Sequence, residues 1–594
     1  MKPVMKSIFN YIKAPLLIVL LAVAGCSGDG NNASDNPISA PTLIPSEGPG
    51  AGGEVTPLPE AGAPLALNSD ISGNVESARA VIDSSGNVTT VWTQSDGVSI
   101  SLWASRYNVA IGWSNAQRLE VGALSVKSFQ VVVDGSGNVT VVWSQAAADF
   151  YMSGPTRVDV ERTDLWAVRY IANSGWGIES RIEAMDLSAN ATENVEDIGE
   201  LQVGVDSLGN VTALWTQHSG SRYDLYASRN EAGVWDGTPT LVDSENLDDV
   251  TSPTLLVDGS GNAFAFWTQS DGSYLNLWGA RYAAGWSVAT KLDSEDLGSV
   301  EPPVAVVDAV GAATVAWRQF DGNRWNLWVA RYSGGWSAST NIDVLNTDVH
   351  TPQLLLYGTN NVMLSWGQSN GAVSRIWSSY YAGGWSASFA ISAASGDAGS
   401  VSMVNDSAGS ITTIWLQQDN SAFTLVYSLW SRYFSAGSWD DPVLLETSTS
   451  GDVRSPILLM DGARRASVIW LQEESGRFDL WSNHFSLSKW GTARLVETLN
   501  DGSAVDPKAV MGNNGNITLV WRTPYDSSNQ LVTSKYTAGT NGGWGAIAKV
   551  GSPLHNNGYN PIPLLDSNGI ATVVWLQPIT DTNGNRIDLW GSHF

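Results

Sequence analysis

The chain has 594 residues, and its 28 Trp, 59 Gly and only 15% charged residues suit many short strands and tight turns, not helices. A formal net charge of −27 argues against a nucleic-acid partner, because binding a phosphate backbone needs a basic face. The single cysteine, Cys26, excludes intramolecular disulfides and a thiolate metal cluster.

Lys2, Lys6 and Lys13 precede an apolar run over 14–24 that is too short to span a membrane and reads as a secretory signal. The run closes on Val23-Ala24-Gly25-Cys26. These four residues resemble the lipobox of bacterial lipoproteins. The resemblance implies cleavage before Cys26, a diacylglyceryl thioether on its sulfur and a membrane partner through that lipid anchor. Ser27, where an Asp would signal inner-membrane retention, points to the outer membrane of a bacterial cell envelope. Residues 1–25 are then a signal peptide, and losing three lysines and no acids takes the charge from −27 to −30. Residues 26–60 hold the lipidated Cys26 and a Gly-, Ser- and Pro-rich tether without hydrophobic period.

From residue 78 one pattern returns. Its clearest copies are 131–145, 255–269 and 563–577, each an apolar run, an Asp, a Gly-containing turn and a second apolar run ending in Trp-x-Gln. That Trp falls at 92, 143, 215, 267, 317, 366, 415, 470, 521 and 575, a period near 50 residues. The turn, as in Asp134-Gly135-Ser136-Gly137-Asn138, is a hairpin signal. A third run of the type Leu-Trp-Ala-x-Arg-Tyr follows, as at 277–282, and a fourth starts at a Gly-Trp pair such as Gly285-Trp286. Four strands in about 50 residues is the size of a propeller blade. The pattern therefore predicts an all-β domain over 61–594, a single β-propeller of ten four-stranded blades.

The chain ends support closure of that ring. The tenth copy reaches Phe594 at the end of its third strand. Leu67-Asn68-Ser69-Asp70 reads like the end of a fourth strand, by comparison with Leu292-Asp293-Ser294-Glu295. The N-terminal segment is thus expected to complete the last blade and leave no open sheet edge.

The repeat resembles those of bacterial β-propellers in general and matches no specific functional family. Sialidase Asp-boxes place Trp soon after their Asp, whereas Trp92 lies nine residues after Asp83. The quinone-binding-type repeats of the outer-membrane assembly lipoprotein put Gly four and Trp eight residues after Asp, against three and nine here.

Twenty-seven of the 28 Trp occupy repeat positions and are read as blade packing. Trp325 alone falls off pattern and is a candidate aromatic platform. The Gln after the second strand in nine of the ten copies, replaced by Thr523 in the other, is expected to satisfy a neighbouring loop. The basic position of the third strand, with Arg106, Arg169, Arg229, Arg281, Arg331, Arg432 and Lys535, is expected to pair with acidic turns, and His484 and His593 occupy the same position in weaker copies. Acidic connections such as Asp243-Ser244-Glu245 and 293–296 could hold Ca²⁺, which takes several oxygen ligands, but none has the spacing of a calcium loop. No metal site and no other cofactor is expected.

Copy two breaks the period. It spans 72 residues, and the surplus falls in the second-to-third and fourth-to-next-first connections. Both emerge on one face of an up-and-down blade, and loops carry function more often than strands. The first insertion holds Phe150, Tyr151, Met152, Arg157, Glu161 and Arg162. Exposed aromatics beside Arg are typical of binding surfaces. The expected function is non-catalytic recognition of a glycan or an envelope protein at the cell surface. A glycoside-active enzyme is the alternative, but no pair of carboxylates specific to one copy stands out. A purely structural envelope scaffold is the third reading.

Overall fold

The computed structural model describes residues 60–594 apart from 69–72, 121, 123, 154–155, 184–196, 220, 244–247, 294–297, 394, 420–425, 448–450, 487, 500, 526–527, 540–541, 552–555 and 582–583, and for 148–153, 156–161, 419 and 581 the backbone alone. The signal segment, Cys26 and the tether lie outside the described residues.

Ten antiparallel sheets follow one another along the chain, one per repeat, with strands in sequence order. Blade four is typical: Val250–Val257, Ala263–Ser270, Leu275–Tyr282 and Thr290–Lys291. The second strand is buried on both faces along nearly its whole length, which is why its sequence is apolar without alternation. Its Trp267 sits directly opposite Trp278 of the third strand. The ten second-strand tryptophans are among the most deeply buried large side chains of the molecule. Each packs where two blades meet, as Trp267 does between Leu225 of blade three and Ala280 of its own blade.

The Asp that ends the first strand closes the hairpin. Asp134 Oδ1 accepts the backbone N–H of Ser136 and Asn138, both at 2.9 Å, and Oδ2 accepts the Asn138 amide at 2.8 Å. Gly137 has φ of +79°, and a Cβ there would lie 2.9 Å from Asp83 Oδ2 of the preceding blade. Both the turn and the seam therefore require glycine. The last seam is built the same way, with the turn Gly86 of blade one packed on Asp566 of blade ten.

The fourth strand departs from a simple run. In blade one it comprises Gly112–Trp113 and Gln117–Arg118, both paired to the third strand Ile100–Asn108. A side chain fills the interruption: Ser114 Oγ accepts the Arg106 N–H at 3.0 Å, and Asp236 does the same for Arg229 in blade three at 2.8 Å.

Leu65–Ala66 supplies the fourth strand of blade ten, with Leu65 opposite Gly591 and Ala66 opposite Trp590. The Leu67 N–H continues the pairing to the Leu589 carbonyl at 2.7 Å. The first strand of every blade touches the first strands on both sides, blade one meeting blade ten, so the first strands form an inner ring. The chain is a closed ten-bladed β-propeller.

Candidate functional site

The disc has two faces. On one, first-to-second and third-to-fourth turns carry the Asp hairpins. The third-strand basic position belongs near this face and serves the seams. Arg106, Arg169 and Arg229 reach the turn carboxylates of Asp83, Asp134 and Asp206 at 2.6, 2.7 and 2.9 Å. The expected pairing with acidic turns holds for these three. The same position also stacks on the third-strand aromatic of the following blade. Arg106 lies over Tyr170, Arg229 over Tyr282, Arg281 over Tyr332 and Arg331 over Tyr381, at 3.9–5.2 Å from the ring centres. His484 stacks on Tyr536 at 3.8 Å, and His593 stacks on Tyr107 across the closing seam at 4.2 Å. Arg432 is a correction. Trp415 pairs with Trp430, which puts Tyr433 at the basic position, where it packs on Phe485 of blade eight. Arg432 is shifted to the other side of its strand and lies over Phe389 of blade six.

The opposite face carries the second-to-third hairpins and the connections between blades. Here the Gln that follows the second strand in several blades works as expected, while blade nine carries Thr523 at that place. Gln94 accepts the Trp92 Nε1–H at 3.0 Å and donates to the Gly73 carbonyl of the incoming connection at 3.2 Å. Gln145, Gln319 and Gln577 likewise donate to the carbonyls of Leu124, Gly298 and Asn556.

A second polar layer was not foreseen. The second residue after the fourth strand is a buried carboxylate in most blades, and it accepts a third-strand N–H. Glu120 takes Leu102 N–H at 2.8 Å, Asp243 takes Leu225 at 2.7 Å and Asp293 takes Leu277 at 2.9 Å. Asn68 does the same for Leu589 in blade ten. Burial pushes the Glu183 and Asp243 carboxyls up to about 7. Because the position recurs around the ring and its oxygens serve the backbone, these groups read as architecture and not as an acid–base pair. The stretches after Asp243 and Asp293 lie outside the described residues. Among the described residues no group of three His, Cys, Asp or Glu could hold a metal ion.

The first insertion of copy two is not a loop. It lengthens the second and third strands of blade two to Val139–Ser153 and Thr156–Ile171. Register runs on unbroken from Ala146 opposite Thr163 to Ser153 opposite Thr156, so the hairpin projects beyond the other blades on this face. Phe150 stands opposite Asp159, Tyr151 opposite Val158 and Met152 opposite Arg157. Arg162 lies at the base, its Nε 3.0 Å from Asp164 Oδ1. The second insertion falls within 184–196, outside the described residues.

Trp325 is not off pattern. It opens the third strand of blade five opposite Phe320, the place held by Tyr223 in blade three, Tyr427 in blade seven and Phe478 in blade eight. The face thus bears an aromatic at the same point of several blades. The Trp325 ring is half-buried, with the Arg318 guanidinium 4.9 Å from its centre and Arg318 held by Glu301 at 2.6 Å. Trp325 and the blade-two hairpin share a face but belong to separate blades, and no described contact joins them.

No protein-family model matches the chain, and no curated protein matches it. Solved structures similar to it include glycan-binding and glycan-active proteins. A fungal lectin from Aleuria aurantia, described as a six-bladed β-propeller that recognises fucose, is 15% identical over 49% of this chain and 92% of its own, with a TM-score of 0.25. An ulvan lyase is 10% identical over 66% of this chain and 94% of its own, with a TM-score of 0.33. A Hadza microbial sialidase is 13% identical over 53% and 71%, with a TM-score of 0.26. Likeness at this level carries no ligand or chemistry across, and the propeller fold rests on the strand pairing described above.

Proposed function

We propose that the protein is a non-catalytic recognition module, lipid-anchored through Cys26 on the outer membrane, that binds a glycan or an envelope protein with the hairpin-bearing face of its propeller. One observation carries the reading. Blade two extends a paired hairpin of fifteen and sixteen residues per strand, whereas the second and third strands of the other blades run to eight to eleven. Costly departures from a repeat are where a solenoid or propeller carries its specificity, and rigid paired strands present side chains at a lower ordering cost than a loop. Phe150, Tyr151, Arg157 and Arg162 are the residues assigned to contact, and the acidic disc keeps the module soluble at the end of its tether.

The test replaces residues 148–161 by an Asn-Gly turn, which joins Ala147 to Arg162 across a register the blade already uses. The ring is expected to keep its thermal midpoint, while binding on a glycan array or cross-linking to an envelope partner is lost. Undiminished binding by a folded variant would remove the hairpin from the recognition surface.

A further inference from the structure

The seam between blades six and seven opens a cleft of about 370 Å³ on the hairpin-bearing face, lined by Ser374, Asp397, Gly399, Ser400, Leu416 and Tyr427. Its volume lies at the lower end of ligand clefts, which run from roughly 300 to 1,000 Å³. The reason it exists is one residue. Gly399 stands opposite Leu416, one place beyond the Ala398–Gln417 pair. The same place holds His350 opposite Gly367 in blade six and Arg454 opposite Leu471 in blade eight. In blade five it is Glu301, whose backbone N–H bonds to the Arg318 carbonyl.

Elsewhere those side chains fill the groove. Glu301 binds Arg318, which covers Trp325, and Arg454 lies over Phe478 at 4.6 Å. Blade three also has a glycine, Gly199, but Thr216 and the Tyr223 ring close over it, within 2.5 and 3.4 Å of where a Cβ would sit. At Gly399 a Cβ would meet nothing within 4 Å. The equivalent aromatic, Tyr427, is therefore left with open space beside it and is 37% exposed.

The walls suit a hydroxyl-rich ring. Tyr427 offers an apolar face for the C–H side of a pyranose. Asp397 is exposed; its Oδ1 holds the Ser374 N–H at 2.7 Å and its backbone carbonyl takes the Gln418 N–H at 2.8 Å, which leaves Oδ2 to accept sugar hydroxyls. The Ser374 and Ser400 hydroxyls can donate or accept. Among the described residues no Lys or Arg lines the cleft, and the chain carries a net charge of −27, which disfavours an anionic sugar there.

We infer that this cleft is a subsite for one neutral hexose unit of a glycan, on Tyr427 and Asp397 over the Gly399 floor. The inference rests on the recognition reading above and names a ligand class and a second contact point on the same face.

The test uses the full chain in a zwitterionic detergent free of sugar. Saturation-transfer NMR is recorded with methyl hexosides of glucose, galactose and mannose, and with methyl glycosides of glucuronic acid and N-acetylneuraminic acid. A neutral hexoside is expected to receive saturation and the two acids none. Gly399→Glu fills the floor as blade five does and is expected to weaken that binding roughly tenfold without moving the thermal midpoint, and Tyr427→Ala is expected to do the same. Binding unaffected by Gly399→Glu, preference for the acids, or no binding of any hexoside would each overturn the subsite. The hairpin replacement is scored on its own readout, so either proposal can fail without the other.

Discussion

Asp243 gives one oxygen to the Leu225 N–H and the other to the Gln269 amide, and burial lifts its carboxyl to about 7 from an ordinary 3.8. A carboxyl raised in the folded chain stabilises the fold fully below its ordinary value, and that contribution is lost as pH rises through the folded value. The window here is pH 3.8 to about 7, and Glu183 acts in the same direction. Asp243→Asn keeps an acceptor for Leu225 and removes the titration. Its thermal midpoint, compared with that of the unaltered chain, is expected to gain between about pH 4 and 7 and to level off above that. A difference that stays constant with pH would mean that Asp243 is ionised in the folded protein throughout. Nothing in the sequence marks this carboxylate layer as buried, because Asp, Glu, Asn and Ser alternate there in a connection that otherwise reads as solvated. What they share is an acceptor oxygen, and only the third-strand N–H shows why one is needed.

Strands and seams are the scale at which the sequence was most legible. The second strand announces itself through its unbroken apolar run, and the hairpin through Asp and Gly at fixed offsets. The Trp-x-Gln unit gives both the buried indole and the amide that takes its N–H. Register was less legible. Blade seven contains Arg432-Tyr433-Phe434 where other blades contain Arg-Tyr, and sequence alone aligns Arg432 with the basic position. Cross-strand pairing decides otherwise, since a one-residue slip moves a side chain to the other face. The repeat position of Trp325 was hidden for a related reason. Its place is shared with Tyr223, Tyr427 and Phe478 but also with Ser374 and Leu275, so no residue type recurs strongly enough to reveal the position. The seam contacts make a direct prediction. Arg331 lies 3.9 Å from the Tyr381 ring centre in the next blade and is largely cut off from water. Arg331→Gln is expected to cost about 1–2 kcal/mol in urea denaturation, and a change within a few tenths would assign the seam to packing alone.

For the molecule as a whole, closure is what converts ten marginal sheets into one body. Each blade alone is a small twisted sheet with two edges, and the ring covers the inner edges with neighbours while the N-terminal strand covers the last one. Leu67 is nearly fully buried, and its N–H reaches the Leu589 carbonyl. Leu67→Pro deletes that donor and is expected to cost about 3 kcal/mol or more, and to expose the third strand of blade ten to pairing with another chain. A lowered thermal midpoint with dimers in light scattering is the expected result. An unchanged, monomeric protein would show that the N-terminal strand adds nothing to closure. The period of the Trp residues and the incomplete tenth copy made this architecture readable in advance. The face proposed for recognition was readable only through the length of copy two, and the cleft at Gly399 was not readable, because a missing side chain matters only once its neighbours are in place.

The most direct test of the account compares the two faces within one blade. Ser260 in the first-to-second turn and Ser273 in the second-to-third turn lie at opposite ends of the same strand of blade four, and both are exposed. Each is changed to cysteine, in a Cys26→Ser background, and capped with a bulky polyethylene glycol maleimide before binding is measured against the ligand found by array or cross-linking. The account predicts that the label on Ser273→Cys blocks binding and the label on Ser260→Cys leaves it intact. The reverse pattern would place recognition on the Asp-hairpin face and contradict the account.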